Sequence, residues 1–373
     1  MSTNTGRRAR WAYALVMAGA VLSALVACVT MPSPSPSPYQ QSPQFRDGRF
    51  HNVVPSAERS FVDGVRVWAD FLFNKQANTR PDRVVPMQTV TRDAVLGAPD
   101  HRVWRLGHSS LLFKLNNILW LTDPVFSERS SPVQWYGPKR FDAPPIAVDE
   151  LPPLESVIIS HDHYDHLDHA TILALQGRVK HFLAPLGVGA ALIDWGVPAS
   201  KVQEFDWWDG TTIEGVRFIA TPAQHFSGRG FTDGNQTLWS SWVIAGQDFK
   251  LFFSGDSGYF DGFKEIGKRY GPFDVAFIET GAYDKRWEYV HLLPDQVLKA
   301  FTDLDGKWLF PIHNGTFDLA MHAWNDPMAQ ITDLAAANGL FLSTPMMGER
   351  MSLSAPEQGS PWWRLRVSEN IAN

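Results

Sequence analysis

Short apolar, β-rich runs punctuate the chain at residues 102–106, 110–115, 118–122, 156–160, 181–184, 212–221, 238–245, 250–255, 275–280 and 308–313. Runs of this length, separated by turn-forming residues, read as strands. Between them, residues 170–175, 187–195, 262–270, 294–304 and 327–338 carry apolar positions at helical spacing, as do residues 60–74 ahead of the first run. Such an alternation predicts an α/β fold, built either as one doubly wound parallel sheet or as two mixed sheets packed together with helices on the outer faces. The runs at 110–115 and 118–122 flank Asn116-Asn117, a hairpin signal, and antiparallel hairpins favour the two-sheet arrangement.

The N-terminus departs from this pattern. Arg7, Arg8 and Arg10 precede an apolar run from Trp11 to Val26, about 16 residues where a membrane-spanning helix needs about 20. A basic start, a short apolar stretch and small residues at its end predict an export signal over residues 1–27. Leu25-Val26-Ala27-Cys28 resembles the lipobox of bacterial lipoproteins, which implies lipidation at Cys28. Val29 follows, so the resemblance implies an exported lipoprotein of the outer membrane facing the periplasm. Pro and Ser alternate from Pro32 to Pro38, an extended, solvated composition that predicts a tether over residues 28–44, with the catalytic body at 45–373.

Composition narrows the chemistry. The chain has 373 residues, enough for one large or two ordinary domains, and a single cysteine, which excludes an internal disulfide, a Cys-ligated structural zinc and a Cys-x-x-Cys redox pair. Loss of residues 1–27 removes three arginines and no acid, so the net charge of −6 becomes −9. An acidic body argues against nucleic-acid binding, which depends on clustered Lys and Arg, and gains no attraction from anionic lipid. The lipid anchor, not charge, is then what holds it to a membrane.

The strongest local signal is Ser160-His161-Asp162-His163-Tyr164-Asp165-His166, directly after the apolar run Val157-Ile158-Ile159. Imidazoles and carboxylates this dense at a strand end are what a zinc or similar divalent site requires. His161, His163, Asp165 and His166 fit the His-x-His-x-Asp-His motif of the metallo-β-lactamase superfamily, whose further ligand positions are matched in order by His225, Asp256 and His313. Leu121-Thr122-Asp123-Pro124, Gly137-Pro138-Lys139-Arg140-Phe141, Asp206-Trp207-Trp208, the segment 265–274 and Gly281-Ala282-Tyr283 resemble the branch of N-acylphosphatidylethanolamine-hydrolysing phospholipases D.

That resemblance implies the superfamily's αββα sandwich and two Zn2+ ions. His161, His163 and His225 hold one ion, Asp165, His166 and His313 the other, and Asp256 bridges them. It implies a phosphodiesterase whose nucleophile is a hydroxide shared by ions about 3.5 to 4 Å apart. Asp165 and Asp256 are then part of the catalytic centre. Asp123 orients a ligand histidine, against the alternative of ordinary Asp-Pro turn chemistry. His291 lies near the substrate, against the alternative of a satisfied loop histidine. His108 reads as a structural or supporting residue. Lys139-Arg140 and Lys268-Arg269 read either as phosphate contacts or as solvated surface charge. The expected partner is a phospholipid or another small ester or phosphodiester. A lactone or other ester or amide hydrolase of the same fold stays open, and further off a non-haem iron oxygenase using His163, Asp165 and a later His, or a non-catalytic envelope lipoprotein. Nothing in the sequence fixes the oligomeric state.

Overall fold

Asn116 and Asn117 both adopt left-handed backbone, with φ of 55° and 60°, and so close the tight hairpin their sequence predicts. The structure is a computed structural model that describes residues 38–55, 70, 74–76 and 78–364. The proposed signal peptide, Cys28, tether residues 28–37 and nearly all of the expected helix at 60–74 lie outside the described residues.

A small hairpin, β1 (Phe45–Arg46) and β2 (Arg49–Phe50), precedes two seven-stranded sheets. The first is built from β3 (Arg102–Gly107), β4 (Ser110–Leu115), β5 (Ile118–Thr122), β6 (Leu154–Ile158), β7 (Val179–Pro185) and β8 (Val202–Phe205). The second contains β9 (Gly210–Ile213), β10 (Val216–Thr221), β11 (Ser241–Ala245), β12 (Lys250–Phe253), β13 (Phe273–Glu279), β14 (Gly306–Ile312) and β15 (Phe341–Leu342). The chain then returns as β16 (Arg350–Ser352) to pair with β3 and complete the first sheet. Each sheet has three antiparallel pairings followed by three parallel ones.

Because side chains alternate along a strand, strands covered on both faces must be apolar at nearly every position. Leu111, Phe113, Leu251, Phe253, Val275, Phe277, Phe310 and Ile312 fill the core between the sheets. Their neighbours Leu112, Phe252, Ala276, Ile278 and Leu309 point outward. Helices α1 (Arg92–Leu96), α2 (His169–Leu175) and α3 (Val188–Asp194) cover the first sheet; α4 (Gly262–Tyr270), α5 (Pro294–Asp303) and α6 (Asp326–Ala337) cover the second. This is the two-sheet α/β sandwich that the hairpins favoured, not one doubly wound sheet.

Three details differ from the sequence expectation. The single strand expected at 212–221 is two, β9 and β10, folded back at Glu214 and Gly215, both left-handed, so that Ile213 faces Val216. Glu-Gly lacks the Asn or Asp that usually flags such a turn. The run at 238–245 becomes a strand only from Ser241, because Leu238 to Ser240 are spent on contacts across the seam, with Ser240 N donating to Ser160 O. The packed body begins before residue 45: Pro38–Gln41 forms a 3-10 turn, and buried Tyr39 packs against Phe45 and Phe50 at 5.9 and 5.8 Å.

Candidate metal centre

All seven expected ligands leave the carboxyl ends of strands, where loops converge over one edge of the sandwich, the usual place for sites in sheets with parallel strands. His161, His163, Asp165 and His166 follow β6, His225 follows β10, Asp256 follows β12 and His313 follows β14. The first four come from one sheet and the last three from the other, so the centre lies on the seam. Four residues here, His108, Asp123, Ala282 and His313, hold left-handed backbone at φ 52°, 34°, 57° and 60°. Such strain in non-glycine residues is sustained by tight surroundings and collects at functional sites. Gly281 meets the same crowding: a Cβ there would clash with the carbonyl oxygen of His313.

The side chains sort into two groups. His161 Nε2 lies 2.9 Å from His163 Nδ1, and His225 Nε2 lies 3.2 Å from the same atom. In the other group, Asp165 Oδ2 is 3.6 Å from His166 Nε2 and 3.3 Å from His313 Nε2. Asp256 stands between the groups, 3.2 Å from His166, 3.0 Å from His313, 3.8 Å from His225 and 4.0 Å from His161. Tetrahedral zinc with bonds of about 2.0 to 2.1 Å sets its ligand atoms about 3.3 Å apart, so both groups have the spacing of a coordination shell. His163 and Asp165 fall into separate groups, which removes the basis for a one-iron triad built on that pair.

Charge points the same way. Asp123, Asp165, Asp256 and Glu279 are buried or nearly so, and among the described residues their ion-pair partners are histidines, never Lys or Arg. Burial holds His161, His163 and His225 below the ordinary imidazole range, in the neutral form a metal needs. For His166 and His313 burial acts in the same direction, but Asp256 foremost outweighs it, raising His166 well above the ordinary range and His313 to about 10. Conversely burial favours protonated Asp165 and Asp256, while the charge on His166 foremost keeps both well below the usual carboxylate range. Both histidines face Asp165 and Asp256, where a bound cation would likewise offset the carboxylate charge. His166 Nε2 and Asp256 Oδ1 are buried without a hydrogen-bond partner. The donor set therefore fits divalent metal at both groups.

Neighbouring residues fix the imidazoles. Buried Asp123 accepts from His166 Nδ1 at 2.7 Å, Ser160 N at 2.7 Å and Ser160 Oγ at 2.6 Å. Ser160 Oγ also meets His161 Nδ1 at 2.9 Å, and His225 Nδ1 donates to Val290 O at 2.8 Å. Asp162 accepts from Gly228 N and Thr237 Oγ1, tying the His161 loop to the His225 loop. His108 comes closer to the centre than a merely structural residue would, with Nε2 3.0 Å from Asp165 Oδ2 and its ring 4.0 Å from that of His313.

His291 lines a cavity of about 340 Å³ together with His163, Asp165, Asp256 and His313; Phe226, Ala282, Trp287, Val290 and Leu319 form its apolar side. Glu279, which sequence reasoning missed, accepts from His291 Nδ1 at 2.7 Å and leaves Nε2 for the cavity. At the end of an apolar strand this glutamate carries no local signal of its role. Among the described residues no Lys or Arg lines the cavity. Lys139 pairs with exposed Glu128, Arg140 is buried against the carbonyls of Val125, Ser127 and Asp142, and Arg269 pairs with Glu265 over Trp208. Arg140 is thus neither a phosphate contact nor surface charge; it braces the loop after β5.

Residues 118–314 match the beta-lactamase superfamily domain. The chain belongs to the metallo-β-lactamase superfamily. It is a metallo-hydrolase of that superfamily and is similar to its N-acylphosphatidylethanolamine-hydrolysing members. N-acyl-phosphatidylethanolamine-hydrolyzing phospholipase D 1 of Caenorhabditis elegans is 34% identical over 251 residues, 64% of this chain and 70% of that one. An uncharacterized protein of Mycobacterium tuberculosis is 38% identical over 332 residues, 87% of this chain and 88% of its own. Among solved structures, isothiocyanate hydrolase from Delia radicum gut bacteria shares the superfamily fold, with a TM-score of 0.54 at 16% identity over 67% of this chain and 98% of that one.

Proposed function

We propose that the chain is a dinuclear zinc hydrolase that cleaves phosphodiesters, with N-acylated phosphatidylethanolamines as the leading substrate class. The observation that carries this reading is the pair of ligand groups with Asp256 between them. His161, His163 and His225 would hold one ion, Asp165, His166 and His313 the other, with Asp256 shared. When bound, the ions supply Lewis acidity toward a phosphoryl oxygen and lower the pKa of water toward neutrality. Among the described residues no Lys or Arg lines the cavity, so an anionic phosphodiester would depend on the metals for its charge.

The chain's own residues would do the rest. His291, its ring fixed by Glu279, presents Nε2 to the cavity, where it can hold a proton for a departing alkoxide. The apolar wall suits an acyl chain beside a polar reacting centre. Of six strongly exposed aromatics among the described residues, Trp135, Tyr136, Phe226, Phe231 and Tyr289 sit on loops that leave the site ends of β5, β10 and β13. Exposed aromatics on loops at the site end support work at a lipid surface. An uncharged ester or lactone is the second reading, favoured by that same lack of Lys and Arg among the described lining residues.

Metal analysis and a substrate panel test both readings. The purified chain should carry about two zinc ions, lose activity to a chelator, regain it with zinc, and release phosphatidic acid from N-acylated phosphatidylethanolamine vesicles. Turnover of esters or lactones with no phosphodiester cleaved, lipid or synthetic, would replace the first reading by the second.

For location, the basic and apolar start and Leu25-Val26-Ala27-Cys28 support export and lipid attachment at Cys28, with the outer membrane facing the periplasm as destination. Expressed in a bacterium, the chain should sediment with membranes, and Cys28→Ser should prevent its lipid modification. Mass spectrometry of the mature N-terminus checks this, and an unmodified wild-type cysteine sinks the idea.

A further inference from the structure

Arg105, on β3, is fully buried, and among the described residues no carboxylate pairs with its guanidinium. Its Nη2 donates to Asn314 O at 3.0 Å and to Asn314 Oδ1 at 2.6 Å, its Nη1 donates to Pro345 O at 3.3 Å, and it stacks 4.7 Å from the ring of Trp362. A buried cation with no counter-ion is costly, and folds keep such groups where something depends on them.

What it grips is the residue after His313. Asn314 also donates Nδ2 to Ile312 O at 2.8 Å, so its side chain spans the ligand position from both sides. His313 is left-handed, and its N–H donates to the carbonyl of left-handed His108 at 3.1 Å, while His108 N donates to Thr316 Oγ1 at 2.7 Å. Two strained histidines are therefore tied back to back across the seam, and Arg105 holds the free side of that knot. Gly315 completes the fit, because a Cβ there would press on the Trp362 ring.

We infer that Arg105 is a positioning residue for His313, acting through the fork it makes to Asn314. This rests on the metal-binding reading of the site. Lysine keeps the charge but cannot reproduce two directed bonds from one nitrogen while another reaches Pro345. Loosening a residue that orients a ligand commonly weakens metal binding 10- to 100-fold. The loss should fall on the Asp165, His166 and His313 group and spare the His161, His163 and His225 group.

The test is zinc content and affinity, by elemental analysis and chelator competition, with cobalt absorption spectra, on the full chain in detergent. Wild type, Arg105→Lys, Asn314→Ala and Lys114→Met are compared. Lys114 is a matched control: it is buried, donates to Leu96 O and Ala98 O, and has no contact with the site. Arg105→Lys and Asn314→Ala should retain about one ion after dialysis and bind the second at least about tenfold more weakly. Lys114→Met should lower thermal stability and keep two. Folded Arg105→Lys or Asn314→Ala holding two ions at wild-type affinity overturns the inference. If Arg105→Lys does not fold, Asn314→Ala decides alone. A wild-type chain that binds no metal overturns the reading of the site itself, and this inference with it.

Discussion

Asp256→Ala is expected to lower kcat/KM for any productive substrate by roughly a thousand-fold or more, about 4 kcal/mol of transition-state stabilisation. Asp256 lies within 4.0 Å of members of both ligand groups, so its loss removes the carboxylate that stands between two half-sites that each keep three residues. In the metal-free protein the variant also loses the pairing of Asp256 with His166 and His313, so its melting temperature should fall as well. What should disappear is most of the stabilisation that metal gives wild type, since a ligand stabilises by its affinity for the folded state. Steady-state kinetics with thermal melts, with and without zinc, check both parts. A variant within tenfold of wild-type activity would remove Asp256 from the centre.

Asp123→Ala should be the most destabilising change near the site that alters no expected metal ligand. The carboxylate is fully buried and takes three hydrogen bonds, from Ser160 N, Ser160 Oγ and His166 Nδ1. Alanine leaves two of those donors in protein with no acceptor and turns His166 free, at a cost of about 3 to 5 kcal/mol by analogy with broken buried charge pairs. Urea denaturation of the metal-free chain measures that loss, and zinc affinity should fall about 10- to 100-fold besides. Asp123→Asn separates the two effects, because the amide keeps the volume and one acceptor but cannot serve three donors. A loss below about 1 kcal/mol in the alanine variant would return Asp123 to ordinary turn chemistry.

Strand periodicity made most of the frame legible in the sequence, and the density of histidine and aspartate after β6 marked the site, with the rest of the expected ligand set coming from the superfamily resemblance. Both are local patterns: the strands are apolar because both faces are covered, and the motif is compressed into one loop. What stayed hidden is non-local. Glu279 and Arg105 are single polar residues within apolar strands, and their partners lie 12 and 209 residues away. Arg140 looked like surface charge because the loop that buries it is ordered by backbone carbonyls, which have no sequence signature. The short edge strands β15 and β16 are too brief for any periodicity to register.

The seam has a consequence for how the protein comes into being. Four of the seven candidate ligands arise from the first sheet and three from the second, and the last of them is residue 313 of 373. The strand that closes the first sheet, β16, comes later still. A growing or partly threaded chain would hold four ligands on one unfinished layer and lack the shared aspartate. Hydrolytic competence is therefore withheld until the chain has been made past His313 and both layers have docked, which keeps an unfinished copy inert in whatever compartment it is assembled.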